Sequence, residues 1–229
     1  MKNLRYKFEI FKSGFTLAEV LITLVIIGVV AALTISPLVN TYVESSTVAK
    51  VKKGLSILGQ AKKLAEAQNG SIEGWDFGEG FTSETARQFW NYLKPHISVV
   101  KDCGSSSDCY QPNGFYSLNG NQYGINHPTD SRYYKFVLAD GGVMWFRTGG
   151  GGGAGKCSVA EQQVPNACAE FFYDVNGDKK PNTIGRDIFT YTMSIDGVYP
   201  YMENSCNKSS QGWGCSGYII KHNNMNYLH

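Results

Sequence analysis

The longest apolar run of the chain lies near its N-terminus, between residues 15 and 33. It reads FTLAEVLITLVIIGVVAAL and contains one charged residue, Glu19. A helix that continues to Val39 contains about 25 residues and is about 37 Å long, which is enough to cross a bilayer. Pro37 removes a backbone donor near its outer end, so we expect a local kink there. The pattern predicts a membrane-spanning helix over residues 15–39.

Apolar residues continue at helical spacing beyond this segment, with lysines between them. The apolar positions are Val48, Val51, Leu55, Leu58 and Leu64, and the lysines are Lys50, Lys52, Lys53, Lys62 and Lys63. This period predicts an amphipathic helical stem over residues 40–70, weakened by Gly54 and Gly59 and ended by Asn69-Gly70. We interpret the lysines as a solvated face rather than as a lipid or DNA site.

The remaining residues, 71–229, form the predicted head. Ser83 resembles an N-cap, and the apolar stripe that follows predicts a second helix ending before Pro95. The segments 133–139 and 142–147 flank Asp140-Gly141, which predicts a hairpin. Further strands are predicted at 171–175, 188–195 and 217–221, with a turn at Asp196-Gly197. The predicted fold class is therefore α+β, with a long N-terminal helix packed on an antiparallel sheet.

Charge and cysteine positions assign the two ends of the chain to different compartments. Residues 1–14 contain four basic side chains and one acidic one. Such a basic flank resists translocation, so we expect a cytoplasmic N-terminus, a single span of the cytoplasmic membrane and an extracytoplasmic head. The net charge of the whole chain, +2, disfavours a dedicated nucleic-acid partner.

The six cysteines all follow the apolar run, and an even number outside the cytoplasm favours disulfides. Pairing of sequence neighbours closes the shortest loops, so it is the expected pattern, with free buried thiols as the alternative. The expected pairs are Cys103 with Cys109, Cys157 with Cys168, and Cys206 with Cys215.

Glu19 and Gly14 require a chemical explanation. A carboxylate within a spanning helix is unfavourable unless it has a partner, and the apolar run contains no basic side chain. A secretory signal would carry its small-residue cleavage site after the apolar core, whereas Gly14 precedes it. Cleavage after Gly14 would create an α-amino group on Phe15, four residues before Glu19 on the same helical face. Alternatively, Glu19 only favours the positive end of the helix dipole or reaches the lipid headgroups.

The sequence Gly14-Phe15-Thr16-Leu17-Ala18-Glu19, between a short basic leader and an apolar helix, resembles the processing site of the type IV pilin and type II secretion pseudopilin family. This resemblance implies that a prepilin peptidase removes residues 1–14, cutting between Gly14 and Phe15, and methylates the new amine of Phe15. It also implies that Glu19 pairs with the N-terminal amine of a neighbouring subunit.

The implied partners are the peptidase, other pilin or pseudopilin subunits, an assembly platform and, before assembly, the lipid bilayer. The product is a filament at the cell surface or in the periplasm, and its subunit needs no active site. A subunit at the filament tip that binds DNA, a surface or an exported protein is an alternative. An anchored enzyme is disfavoured because the chain contains neither G-x-S-x-G nor H-E-x-x-H.

One stretch of the head has the composition of a calcium loop. Asp174, Asn176 and Asp178 present side-chain oxygens at alternate positions, and Asp187 could complete the shell. The stretch is not an EF-hand, because Lys179 occupies the position that requires glycine. We favour the alternative, an Asn-Gly turn with side-chain to backbone hydrogen bonds, and no other cofactor is implied.

Overall fold

The computed structural model describes residues 14–112, 114–123, 128–149, 157, 159–161 and 164–229. The chain divides into two compact units, residues 1–43 and 44–229. Helix α1, Leu17–Asn69, contributes residues to both units. Between Leu17 and Val43 the described side chains are exposed, apart from the half-buried Ala31. This part of α1 is long and apolar enough to cross a membrane, as the sequence predicts.

The described residues of the second unit form two further α-helices and one antiparallel sheet. The helices are α2, Ser83–Leu93, and α3, Cys215–His222. The strands are β1, Val99–Gly104; β2, Tyr134–Leu138; β3, Val143–Thr148; β4, Val159–Glu161; β5, Val164–Asp174; β6, Ile188–Ser194; and β7, Val198–Pro200. The strand order is β1-β2-β3-β5-β6-β7, and β4 also pairs with β5. The α+β prediction is therefore confirmed.

Apolar side chains form two clusters within the second unit. The larger cluster joins α1, α2 and one face of the sheet, and Trp90 of α2 stacks on Phe136 of β2 with ring centroids 4.3 Å apart. The smaller one includes Trp145 of β3 and Phe172 of β5, which stack at 5.5 Å, together with Tyr110. Alternating side chains of one strand point to opposite faces, so both clusters use the same strands.

Gly54 has a role that its low helix propensity does not suggest. A methyl group at this position would lie 2.9 Å from Cδ1 of Tyr173 and 3.0 Å from the hydroxyl oxygen of Tyr191. The Tyr191 hydroxyl donates to the carbonyl oxygen of Val51 at 2.8 Å. Glycine therefore allows the helix and two tyrosines of the sheet to approach closely. At Gly59, by contrast, a methyl group would meet nothing within 4 Å.

Two local predictions for the helices need correction. Residues 217–221, predicted as a strand, lie in helix α3, which ends at Asn223 in a left-handed conformation, φ 58°. The N-cap of α2 is Thr82 rather than Ser83, because Thr82 and Thr85 exchange hydrogen bonds in a capping box. The second helix itself is confirmed, as are the turns at Asp140-Gly141 and Asp196-Gly197.

The prediction that the stem lysines form a solvated face is wrong for Lys62, while Lys50 is half-buried and Lys52, Lys53 and Lys63 are exposed. Lys50 donates to the carbonyl oxygen of Val175, Lys52 donates to the side-chain oxygen of Asn223, and Lys53 pairs with Asp140. Lys62 is almost completely buried and donates to the Ile195 carbonyl and to Glu66, both at 2.8 Å. Their long stems carry the ammonium groups to acceptors of the head, which an isolated helical pattern does not show.

Candidate functional site

The first turn of α1 places Glu19 close to the Gly14–Phe15 bond, the predicted cleavage position. Residues 14–16 are not helical, and α1 begins at Leu17. The Thr16 backbone N–H and hydroxyl each donate to Oε2 of Glu19 at 2.8 Å. In return, the Glu19 N–H donates to Oγ1 of Thr16 at 3.3 Å. These reciprocal bonds form a capping box that satisfies the carboxylate within its own chain.

The capping box was not among the features predicted from the sequence, although the sequence contains its motif. Thr16-Leu17-Ala18-Glu19 before an apolar run has the Thr-x-x-Glu spacing of the motif. Its consequence is that the Gly14–Phe15 peptide bond lies in non-helical chain, just before the helix. The nitrogen of Phe15 is an uncharged amide while that bond is intact. An ion pair between this nitrogen and a Glu19 carboxylate therefore requires hydrolysis of the Gly14–Phe15 bond.

The side chains around the capping box are accessible. Phe15 is 87% exposed and Leu17 80% exposed. Pro37 lies within the helix, which continues through it. An unbroken apolar helix of this kind is stable only in lipid or against other apolar helices.

Three disulfides join the six cysteines. They link Cys103 with Cys109, Cys157 with Cys168 and Cys206 with Cys215, and their Cα atoms are 5.6, 4.1 and 4.7 Å apart. These are the neighbouring pairs that the short loops favour. The third bridge attaches the start of α3 to the preceding loop, which helps to explain why residues 217–221 do not join the sheet.

The structure brings three of the four candidate calcium ligands together. Asp174 accepts hydrogen bonds from the Tyr110 hydroxyl and from the Asn176 N–H. Asp187 accepts from the backbone N–H groups of Asn182 and Thr183, at 2.8 and 2.6 Å, and from the Asn176 amide.

The fourth candidate, Asp178, is exposed. Within the described ranges, no group of three or more His, Cys, Asp and Glu side chains is arranged to hold a metal ion. The bond from the Asn176 N–H to Asp174 is that of the Asx turn, the alternative to a calcium loop.

Burial dominates the electrostatics of this turn. Desolvation, followed by the charge of Asp187, raises the pKa of Asp174 well above its ordinary value. Desolvation also raises the pKa of Asp187 to about 6, although the N–H groups of Thr183 and Asn182 oppose that shift. The two carboxyl groups therefore bind a proton more tightly in the folded chain than ordinary aspartates do. Whether a calcium ion replaces the proton stays a prediction.

Comparison with known proteins bears on the N-terminal segment alone. The family model of the prokaryotic N-terminal methylation motif matches residues 11–35. The matched segment contains Gly14, Phe15 and the Thr16–Glu19 capping box. No curated protein and no solved structure shows significant similarity to the chain.

Proposed function

We propose that this chain, whose N-terminal segment carries the signature of type IV pilins and pseudopilins, is a structural subunit of a type IV pilus or a type II secretion pseudopilus. The methylation-motif match is the observation that carries the proposal, because it unites Gly14, Phe15, Glu19 and the apolar helix in one segment. A prepilin peptidase hydrolyses the bond between Gly14 and Phe15 and methylates the new amine of Phe15.

Hydrolysis changes the electrostatics of the helix terminus. Water is added across the amide, which leaves a carboxylate on Gly14 and an ammonium on Phe15. Before assembly, the Thr16 donors make Glu19 tolerable in a low-dielectric environment. During assembly, the ammonium of a neighbouring subunit supplies the opposite charge, so only helix registers that bring the two groups together are favourable.

The exposed apolar side chains of α1 are suited to two environments, the membrane and the filament. In the cytoplasmic membrane, lipid covers them, with the basic leader on the cytoplasmic side and the head outside. In the filament, the same side chains pack against the helices of other subunits. An assembly platform moves the chain from the first environment to the second.

Intact-mass analysis of the protein purified from its native cells tests the processing step. The expected mass is that of a chain beginning at Phe15 with one added methyl group and three disulfides. A chain beginning at Met1, or at any residue other than Phe15, contradicts the proposal.

The role of Glu19 is tested with Glu19→Gln, which keeps the shape of the side chain and removes its charge. We expect normal cleavage and a loss of at least about tenfold from the sheared filament fraction, because the neighbouring ammonium loses its partner. Glu79→Gln, at an exposed position of the head, is the matched control and is expected to assemble normally. Normal assembly of Glu19→Gln would refute the pairing.

A further inference from the structure

The two edges of the sheet carry different and complementary surfaces. Strand β1 lies at one edge and β7 at the other. Neighbouring strands are about 4.8 Å apart, so the two edges are separated by about 24 Å. We define the β1 edge surface by His96, Val100 and Lys101, and the β7 edge surface by Asp196 and Tyr199.

The β1 edge surface adjoins a cavity of about 330 Å³. Ile57, Ile97 and Leu138 give it aliphatic walls, and His96 contributes a polar group. Nε2 of His96 is buried, and no atom in the described part of the chain bonds to it. A buried nitrogen without a partner is unfavourable. The aliphatic walls suit a side chain with an apolar body, and His96 offers its terminal group a partner when the imidazole turns Nε2 toward the cavity.

The β7 edge surface presents such a side chain. Tyr199 is 41% exposed on β7, and its hydroxyl has no hydrogen-bond partner among the residues that the structure describes. A tyrosine ring fits between aliphatic walls, and its hydroxyl can donate to or accept from an imidazole nitrogen. The cavity has the volume expected for a small ligand or a single inserted side chain.

Charge adds a second, independent match. Lys101 on β1 and Asp196 at the β6–β7 turn are both exposed. Neither side chain has an ion pair or a hydrogen bond within the described residues, whereas Lys94 and Asp102, beside the same edge, pair with each other. An unpaired cation at one edge and an unpaired anion at the other can neutralise each other only between copies. Val100, which is 71% exposed, adds apolar area beside Lys101.

We propose that the β7 edge surface of one copy docks on the β1 edge surface of the next, with Tyr199 entering the cavity at His96 and Asp196 meeting Lys101. The two surfaces lie on opposite sides of the head, so the contact is head-to-tail and repeats along an open polymer rather than closing a two-fold dimer. The inference rests on the proposed function, because a filament brings successive heads side by side.

Charge reversal in the full chain, expressed with its assembly machinery, tests this contact. Lys101→Asp and Asp196→Lys are each expected to lower the amount in the sheared filament fraction roughly two- to fivefold, the range of a single exposed ion pair. The combination of both substitutions is expected to restore it. Lys208→Asp and Glu79→Lys, exposed charges outside both surfaces, are controls that should have no effect. Unchanged single variants, or a combination no better than the worse single variant, would overturn the contact.

Cross-linking distinguishes a head-to-tail contact from a two-fold contact. A chain carrying both Lys101→Cys and Asp196→Cys should form a disulfide-linked ladder beyond dimers, while either substitution alone should form none. Dimers from a single variant would indicate a two-fold contact and would overturn the proposal. Tyr199→Phe, which lacks the hydroxyl, should form less ladder than the chain that keeps Tyr199, and Tyr199→Ala, which also lacks the ring, should form less still. A Tyr199→Phe ladder equal to that of the chain with Tyr199 would exclude a bond from the hydroxyl to His96.

The wild-type chain separates this inference from the proposed function. If the wild type is cleaved and reaches the filament fraction while the ladder is absent, the edge contact fails and the proposed function stands. If the wild type itself is absent from the filament fraction, the proposed function fails first.

Discussion

The carboxylate of Glu19 is held by Thr16 through neutral donors, so the capping box leaves its negative charge uncompensated. Hydrogen bonds reduce the cost of placing an ionised group in a low-dielectric environment, but an ammonium lowers it much further. In the proposed function, the same residue is therefore tolerated in the membrane and still favours a neighbour's amine.

Asp187 gives a residue-scale prediction about pH. Burial raises its pKa from 3.8 to about 6, so between these pH values the folded chain holds a proton that the unfolded chain has lost. The contribution of Asp187 to the free energy of unfolding should then decrease as pH rises from about 4 to about 6. Asp187→Asn cannot ionise, so its melting temperature should rise relative to that of the wild type across this interval, measured by near-ultraviolet circular dichroism in detergent.

Carboxyl groups with a lowered pKa, such as Asp102 and Asp140, are the same in both proteins, so their effect cancels in the difference. A difference that does not vary with pH would contradict the assignment to Asp187. Repeating the series with calcium chloride tests the calcium prediction, because a bound cation would favour the ionised carboxylates and reverse the trend.

Lys62 and Lys63 form a matched pair for a second residue-scale prediction. Lys62→Met leaves the Ile195 carbonyl and the Glu66 carboxylate without their ammonium donor, and should lower the free energy of unfolding by about 1–3 kcal/mol. Lys63 is exposed, so Lys63→Met should change it by less than about 0.5 kcal/mol. Chemical denaturation of both variants measures the difference, and equal effects would show that Lys62 is not a structural contact.

At the scale of elements, contacts override local preference. The segment Gly217-Tyr-Ile-Ile-Lys221 has β-branched and aromatic residues typical of a strand, yet it lies in α3. Cys215 at its first position is bonded to Cys206, and Asn223 closes its last turn. Strand propensity describes how a side chain fits a sheet, and this segment instead packs as a helix against β6 and β7.

The contact between α1 and the sheet gives the element-scale prediction. Gly54→Ala should destabilise the head by about 1–3 kcal/mol, because the added methyl group overlaps Tyr173 and Tyr191. Gly59→Ala has open space and should stabilise it by up to about 1 kcal/mol through helix propensity. Thermal unfolding of the two variants checks the signs, and stabilisation by both would exclude a close approach at Gly54.

At the scale of the whole molecule, the two units differ in how they cover their apolar side chains. Both apolar clusters lie within residues 44–229, whereas the apolar side chains described between residues 17 and 43 are exposed, apart from the half-buried Ala31. Changes at the cleavage position should therefore affect processing without affecting the stability of the head.

Gly14→Leu tests this separation. The resemblance to prepilins implies that the peptidase requires a small residue before the cut, so the variant should retain Met1 as its first residue when its intact mass is measured. The melting temperature of its head should equal that of the wild-type precursor. A mature chain beginning at Phe15 would contradict the role assigned to Gly14.

The sequence alone determined the features that depend on interactions between residues close together in the chain. The apolar run, the order of Gly14, Phe15 and Glu19, the short disulfide loops and the Asp140-Gly141 hairpin all depend on residues close in the chain. Only the tertiary structure decided the partners of the stem lysines, the close packing at Gly54, the helical state of α3 and the placement of the two charged edges. Each of these depends on atoms brought together from distant segments, whose distances no local pattern contains.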